Sequence, residues 1–331
     1  GTNQNPKQIF NGILRASYQL PVEGLMLDGF FAVDRSQESG KSFITPYLVY
    51  NYNASNGIYE PRTVGEPKAQ LNQFQENTSL TTSHIKLNYE RGFGAHNVKA
   101  FAAYEQSERT LSRMEAGRRN FPSSLTPELS QGGTSLEDRT NAGLSWRESR
   151  SSFISRVNYN YNEKYLIEAQ LRIDASSIFP KGKRNGYFPG ISAGWRVSQE
   201  DWFKDHVHFI DDLKIRASYG ELGGDNVGAN QFVNNYKLRN YYTLGSGIYP
   251  GVDLIKFANP NITWEDSEKT DIGFNAQFLK NFNLEFIYFT EKRSKILLPR
   301  NASIPGSTGI VNPYDPDPST PSTDESEIPL V

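Results

Sequence analysis

The feature that most constrains the fold is an alternation of period two that recurs along most of the chain. Between Lys164 and Ala175, Tyr165, Ile167, Ala169, Leu171 and Ile173 fall on one face, and Glu168, Gln170, Arg172 and Asp174 on the other. Successive strand residues point to opposite faces, so this is a strand with one apolar and one wet side. Leu213, Ile215, Ala217 and Tyr219 repeat the pattern against Lys214, Arg216 and Ser218, and Ile272, Phe274, Ala276 and Phe278 against Asp271, Gly273, Asn275 and Gln277. So do Ile85, Leu87 and Tyr89, and Phe153, Val157, Tyr159 and Tyr161. The alternation predicts ten principal strands, near 8–20, 24–35, 79–92, 96–108, 151–162, 164–175, 188–198, 212–220, 263–278 and 283–294. Helix signals are scarce. The best is Ser198-Gln199-Glu200-Asp201, a capping-box-like start to one short turn through Trp202 and Phe203.

The connections carry more information than the strands. Short links at Pro21–Glu23, Gly92–Ala95, Asn162-Glu163 and Leu279–Phe282 alternate with long polar segments at 36–78, 109–150, 176–187 and 221–262, and the link through 199–211 is moderate. Strands of about ten residues with alternating polarity, short turns at one end and long loops at the other describe an outer-membrane β-barrel. A soluble sandwich is the competing architecture, since its strands alternate as well. Tyr159, Tyr161 and Tyr165 gather around the Asn162-Glu163 turn, and Phe188 and Trp195 lie near opposite ends of one strand. Such placement suits the hydrocarbon–water boundary, where a ring is buried and its polar group stays wet; ordinary cross-strand packing explains some of it.

Composition closes off other classes. Mean hydropathy is −0.61, and no apolar run approaches the ~18 residues of a spanning helix. Aromatics at 13% offer too much buriable surface for a disordered chain. A net charge of −2 gives no global field toward nucleic acid. The absence of cysteine excludes a disulfide scaffold, a Cys-ligated zinc site and a thiol nucleophile. The first residues show no signal peptide, and a leading Gly without Met points to a processed or truncated chain.

At 151–220 the residues become specific. SSFISRVNYNYNEKYLIEAQLRIDASSIF, GYFPGISAGWRVSQEDWF and LKIRASYGELGGDN resemble the SusC/RagA-like family of TonB-dependent outer-membrane transporters of Bacteroidetes. GAHNVKAFAAYE (94–105), FPSSLTPELSQGG (121–133) and ANPNITWEDSEKTDIGFNAQFL (258–279) match in the same order, so the resemblance runs from about residue 10 to about 312. It implies a closed barrel of about twenty-two strands with a plug domain inside, short turns toward the periplasm and long loops outside. This chain would supply about ten of those strands, an all-β, antiparallel transmembrane barrel segment over 1–312 with long extracellular loops at 36–78, 109–150 and 221–262. The family's plug and TonB box lie N-terminal to the barrel and its closing strands C-terminal, and neither is present here. An acidic Pro/Ser/Thr-rich tail, 313–331, stands where a further hairpin is expected. Ten strands cannot close a barrel of twice that number, so the strands near 8–20 and 283–294 are expected to lack a partner on one side.

Catalytic chemistry finds little support, and the chain reads as no enzyme, with no cofactor and no metal. Of four histidines, His206 and His208 are spaced to share a strand face, yet two ligands are too few for a closed metal site. Gly220-Glu221-Leu222-Gly223-Gly224-Asp225-Asn226 lacks the GK[ST] of a phosphate loop and reads as a flexible outer loop. Paired carboxylates such as Glu168 and Asp174 belong to wet faces. Lys181-Gly182-Lys183-Arg184-Asn185 is a solvated loop or a lipopolysaccharide contact, with too few aromatics nearby for nucleic acid. N-x-[ST] triplets at Asn53, Asn77, Asn261 and Asn301 read as coincidental.

One loop carries a functional mechanism. Asn234 to Tyr242 interleaves amides with rings, and Asn235, Tyr236, Tyr241 and Tyr242 are the candidate substrate-binding residues: rings stack on the apolar face of a sugar and amides bond its hydroxyls, chemistry that equally suits peptides. Loop packing explains the same composition. The resemblance implies the barrel wall of a TonB-dependent importer of oligosaccharides or peptides in the bacterial outer membrane. Its partners would be a SusD-like surface lipoprotein as lid, TonB acting through the plug, and outer-membrane lipid and lipopolysaccharide, with no nucleic acid. The alternative is a soluble β-rich module that binds carbohydrate or protein and transports nothing.

Overall fold

The computed structural model describes residues 2–256 and 258–297, without the side chains at 237, 239–241 and 253–256. The acidic tail from 313 lies outside the described residues. Fifteen strands follow one another: β1 (Thr2–Gln4), β2 (Lys7–Gln19), β3 (Leu25–Ile44), β4 (Tyr47–Asn53), β5 (Ile58–Val64), β6 (Gln70–Phe93), β7 (His96–Arg119), β8 (Arg139–Tyr161), β9 (Tyr165–Ser176), β10 (Asn185–Arg196), β11 (Ile210–Gly224), β12 (Asn235–Leu244), β13 (Gly247–Lys256), β14 (Glu265–Phe278) and β15 (Phe282–Ser294). One short helix, α1 (Asp201–His206), precedes β11. The main sheet has the order β1-β3-β6-β7-β8-β9-β10-β11-β14-β15, with β2 also paired to β3; β4–β5 and β12–β13 are separate two-stranded ribbons. Among the described residues, β2 pairs only with β3 and β15 only with β14, the expected edges of a segment of a larger sheet.

All ten expected strands are present, and several are longer than the alternation indicated. β3 continues to Ile44, β6 starts at Gln70, β7 runs to Arg119 and β8 starts at Arg139. An added stretch such as Arg35–Ser42 is polar on both faces, so no apolar period marks it while the backbone ladder continues. The expected loops 36–78 and 109–150 shrink accordingly. The Gly-rich stretch read as a flexible loop is also strand as far as Gly224, in register with Glu265 of β14.

Register makes the apolar faces of successive strands coincide. Directly opposed residues share a face in an antiparallel pair. Phe153 of β8 opposes Ile173 of β9, which opposes Tyr187 of β10. Trp195 opposes Ile215, Ile215 opposes Phe274 and Phe274 opposes Phe286, their rings 5.8 Å apart. This face is solvent-exposed in the isolated chain. The other face collects Arg156, Glu168, Gln170, Arg172, Lys214, Arg216 and Asp271.

The chain divides into two compact units. The first comprises Gly1–Leu14, Phe30–Ser83 and Ser107–Arg147. Its core centres on Leu71 and Phe43, with Phe121 edge-on to Phe43 at 5.1 Å. The 120–138 connection is tied to the strands by Lys41 with Glu128 at 2.6 Å and by Arg118 donating to the Gly133 carbonyl at 2.6 Å.

The second unit comprises Arg15–Gly29, His84–Gln106 and the chain from Glu148. Its core is Ile178, Phe179, Phe188, Ile262 and Trp264. Phe188 is therefore a core residue and not a boundary aromatic: it lies on the face opposite Tyr187, against Trp264 at 5.4 Å. Trp264 Nε1 donates to the Arg184 carbonyl at 2.8 Å, and Lys183 Nζ to Asn261 Oδ1 at 2.7 Å. The basic 181–185 segment is thus docked to the 258–264 connection.

Around the short turns an aromatic belt forms. His96 Nδ1 meets the Tyr159 hydroxyl at 2.7 Å, and the Tyr161 and Tyr165 rings stack at 6.3 Å. Glu200 closes the belt by accepting from the Tyr165 hydroxyl at 2.7 Å, Trp195 Nε1 at 3.1 Å and Lys164 Nζ at 3.4 Å. The expected capping box is absent: Glu200 is the N-cap but its side chain makes no capping bond to the helix, and Ser198 instead donates to Asp212. His206 ends this helix, bonded to the Trp202 carbonyl, so it shares no strand face with His208.

Three outcomes follow from this architecture. Arg in place of Leu171 should cost about 2–4 kcal/mol in a lipid-inserted sheet, and Arg in place of Gln170 far less; urea titrations in lipid vesicles measure both, and equal costs would remove the basis for a one-sided apolar face. Phe179→Ala should cost about 3–5 kcal/mol locally, read as faster amide exchange at 176–187 and 258–264 with mid-β9 amides unchanged. Bonds from the Tyr165 hydroxyl and then from Trp195 hold the Glu200 carboxyl below the ordinary glutamate range. A depressed folded-state pKa stabilises above the unfolded value and is lost as pH falls through the folded one. Trp195 emission should therefore stay constant at neutral pH and shift on acidification below the glutamate range, a transition that Glu200→Gln removes.

Candidate functional site

The candidate binding residues stand on β12, in the connection between β11 and β14. Its ribbon with β13 turns through Gly245, a left-handed residue at φ 63°. Tyr242 opposes Tyr249, and Tyr241 opposes Pro250. A register shift between Arg239 and Tyr241 inserts one extra residue, so the even spacing of Tyr236 and Tyr242 does not place them on one face. Tyr236 and Tyr242 are 62% and 54% exposed. The Tyr242 ring lies over Gly251, where a Cβ would come within 2.0 Å of it. The Tyr241 side chain lies outside the described residues, and Asn235 begins the ribbon opposite Lys256. Tyr249 and Gly251 are not among the residues that the sequence pattern singles out.

The ribbon is held at its base. Phe232 packs against the Phe179–Trp264 core. Asn259 N–H donates to the Gln231 carbonyl at 2.8 Å, and Ala258 N–H to Asn234 Oδ1 at 2.7 Å. Arg150 Nε reaches Asp225 at 2.6 Å just after β11.

On the polar face of β7 to β15, in the second unit, lies a groove of about 780 Å³. Lys99, Lys214, Arg216 and Lys269 bring positive charge to it, and Glu168 and Asp271 negative. Ser218 Oγ donates to Asp271 at 3.3 Å, Arg216 pairs with Glu285, and Lys269 stands over the Phe289 ring at 5.6 Å. Gly190 opens the wall beside it, since a Cβ there would fall 2.7 Å from the Gln170 amide. The arrangement offers hydrogen bonds and mixed charge to a polar molecule. It assembles no nucleophile–base pair, and among the described residues no three metal-ligating side chains come together.

The second ribbon, β4–β5 in the first unit, lies within the segment 36–78 whose composition is that of a polar loop. Tyr52 opposes Tyr59 with ring centroids 5.3 Å apart, and Tyr50 opposes Pro61. At its tip Asn53 and Asn56 donate to Glu60 at 2.8 and 3.0 Å, which holds that carboxyl below the ordinary range. The Asn53 triplet therefore serves a turn.

The architecture has known counterparts. Residues 11–322 match the family described as TonB dependent receptor-like, beta-barrel. TonB-dependent receptor P3 of Formosa agariphila is 30% identical over 279 residues, covering 82% of this chain and 27% of that receptor. TonB-dependent receptor SusC of Bacteroides thetaiotaomicron is 27% identical over 213 residues, covering 63% of this chain and 20% of SusC. Among solved structures, the RagAB peptide transporter superposes with a TM-score of 0.77 at 19% identity, covering 94% of this chain and 32% of that one, a likeness of fold. The chain thus spans well under half the length of the proteins it matches. These relatives are receptors, not enzymes. A one-sided antiparallel sheet and a family match over nearly its whole length converge: the chain belongs to the TonB-dependent receptor-like β-barrel family, as a SusC-like segment of barrel wall from the bacterial outer membrane.

Proposed function

We propose that this segment walls the import path of a TonB-dependent transporter for nutrients, oligosaccharides or peptides, working with a SusD-like surface lipoprotein. The carrying observation is the continuous apolar face from β8 to β15, which suits lipid, set against a polar face that bears the groove. The barrel body would occupy 1–312 and the acidic tail 313–331, with the connections expected at 36–78, 109–150 and 221–262, whose links in the main sheet are 45–69, 120–138 and 225–264, outside the cell. TonB would act through a plug domain, which in this family precedes the barrel, so the segment alone confines and guides substrate without powering its movement. Asn235, Tyr236, Tyr241 and Tyr242 would capture substrate on the β12–β13 ribbon, rings covering apolar surface and the amide bonding polar groups. RagAB, similar in fold, is a peptide transporter, which keeps peptide beside oligosaccharide here.

The test is partitioning followed by binding. The refolded chain should enter lipid vesicles and leave them only with detergent; a chain that stays soluble without either would overturn the wall assignment and leave a soluble binding module. In the detergent-solubilised chain, Tyr236→Ala with Tyr242→Ala should weaken binding of an oligosaccharide or peptide ligand about tenfold, a loss of roughly 1.4 kcal/mol. Unchanged affinity would remove these residues from capture.

A further inference from the structure

The β4–β5 ribbon carries a surface that the barrel wall does not require. Directly opposed residues share a face, so Leu48, Tyr50 and Tyr52 lie beside Thr63, Pro61 and Tyr59. Tyr50, Tyr52 and Tyr59 are 61%, 59% and 65% exposed. A two-stranded ribbon gains little from exposed rings, whose cross-strand pairs contribute only about 0.2–1 kcal/mol each. Contiguous exposed apolar surface of this kind marks a binding site.

The chemistry of the face selects the occupant. It carries no charged side chain: Glu60 opposes Asn51 and Arg62 opposes Val49, both on the other face. Glu60 is in addition held by Asn53 and Asn56. An anionic or cationic ligand would therefore find no counter-charge there. Tyrosine gives a flat apolar ring with a hydroxyl at its rim, rigid at low entropic cost, which complements a pyranose ring with one C–H face and a hydroxyl edge. Pro61 removes one backbone donor from a strand of only seven residues, so recognition rests on side chains and not on strand addition by a peptide. The β12–β13 ribbon contains the same two kinds of pair, Tyr242 opposite Tyr249 and Tyr241 opposite Pro250, but as consecutive pairs on opposite faces of the ribbon. Two ribbons of different length and turn share this pairing.

We infer that the Tyr50–Tyr52–Tyr59 face of the β4–β5 ribbon is a binding platform for a neutral oligosaccharide, separate from the residues assigned to capture on β12–β13.

Residue-resolved tyrosine nitration tests it on the full chain in detergent micelles. Tetranitromethane labelling is mapped by mass spectrometry with and without maltohexaose, cellohexaose, laminarihexaose, an alginate hexamer and a neutral Gly-Ser hexapeptide. At least one neutral hexasaccharide should slow nitration of Tyr52 and Tyr59 about fivefold. The alginate hexamer and the peptide should leave the rate within twofold. Tyr52→Ser with Tyr59→Ser should weaken binding at this face, read from protection of Tyr50, about tenfold. Tyr52→Phe, which keeps the ring pair and the ribbon, should retain affinity within threefold. No protection by any neutral hexasaccharide, or equal protection by alginate or peptide, overturns the platform. Tyr242 and Tyr249 report the other ribbon in the same experiment: protection there without protection at Tyr52 and Tyr59 overturns this inference and leaves the capture assignment standing. Protection at Tyr52 and Tyr59 alone supports this inference and counts against that assignment.

Discussion

A strand that crosses hydrocarbon must hand every backbone N–H and C=O to a neighbouring strand, because no water reaches them there. The rest of the structure depends on that constraint. The uninterrupted pairing of β8 with β9 and of β9 with β10 meets it, and it leaves side chains to satisfy two solvents at once. One-sidedness is a property of register and not of any single strand. A slip of β11 by one residue would put Lys214 and Arg216 where Ile215 and Ala217 stand, opposite Trp195 and Ala193 of β10 and Phe274 and Ile272 of β14. The two edges, β2 and β15, are where the constraint remains open among the described residues.

Charges on the polar face serve a different purpose from stabilisation. Arg156 with Glu168, Lys99 with Glu90 and Arg216 with Glu285 are exposed pairs, a class worth about 0–1 kcal/mol apiece. Their effect is to keep the inner wall wet and mixed in sign, so that no large single-sign field fills the groove. Packing energy is instead concentrated in the aromatic cluster around Phe179 and Trp264 and, in the first unit, around Leu71 and Phe43.

Much of this was legible in the sequence, and the failures have physical causes. Wherever a strand has one apolar face, as from Tyr165 to Ala175 or from Ile272 to Phe278, period two reveals it. Where both faces are wet, as at Arg35–Ser42, the backbone ladder persists with nothing in the side chains to announce it. The ribbons escaped for another reason: at seven to ten residues, rich in Asn, Gly and Pro, they carry turn composition in strand geometry. Phe188 misled because membership of a strand does not say which face a ring takes, and its partners Phe179 and Trp264 are distant in sequence. The candidate residues Tyr236 and Tyr242 are singled out by composition as loop residues, which shows neither the strand pairing of β12 with β13 nor the register shift that separates their faces.

The anchoring of the β12–β13 ribbon has a consequence for how such a wall can diversify. Its two feet, Gln231–Asn234 and Ala258–Asn259, are pinned to one another and, through Phe232, to a buried aromatic cluster. That cluster also fastens the neighbouring 176–185 connection through Trp264 and Lys183. Residues 235–256 therefore form an exchangeable cassette on a fixed socket. Its length, turn and aromatic content can be rewritten without shifting a single pairing between β11 and β14, so the ribbon can diverge while the sheet beneath it stays the same.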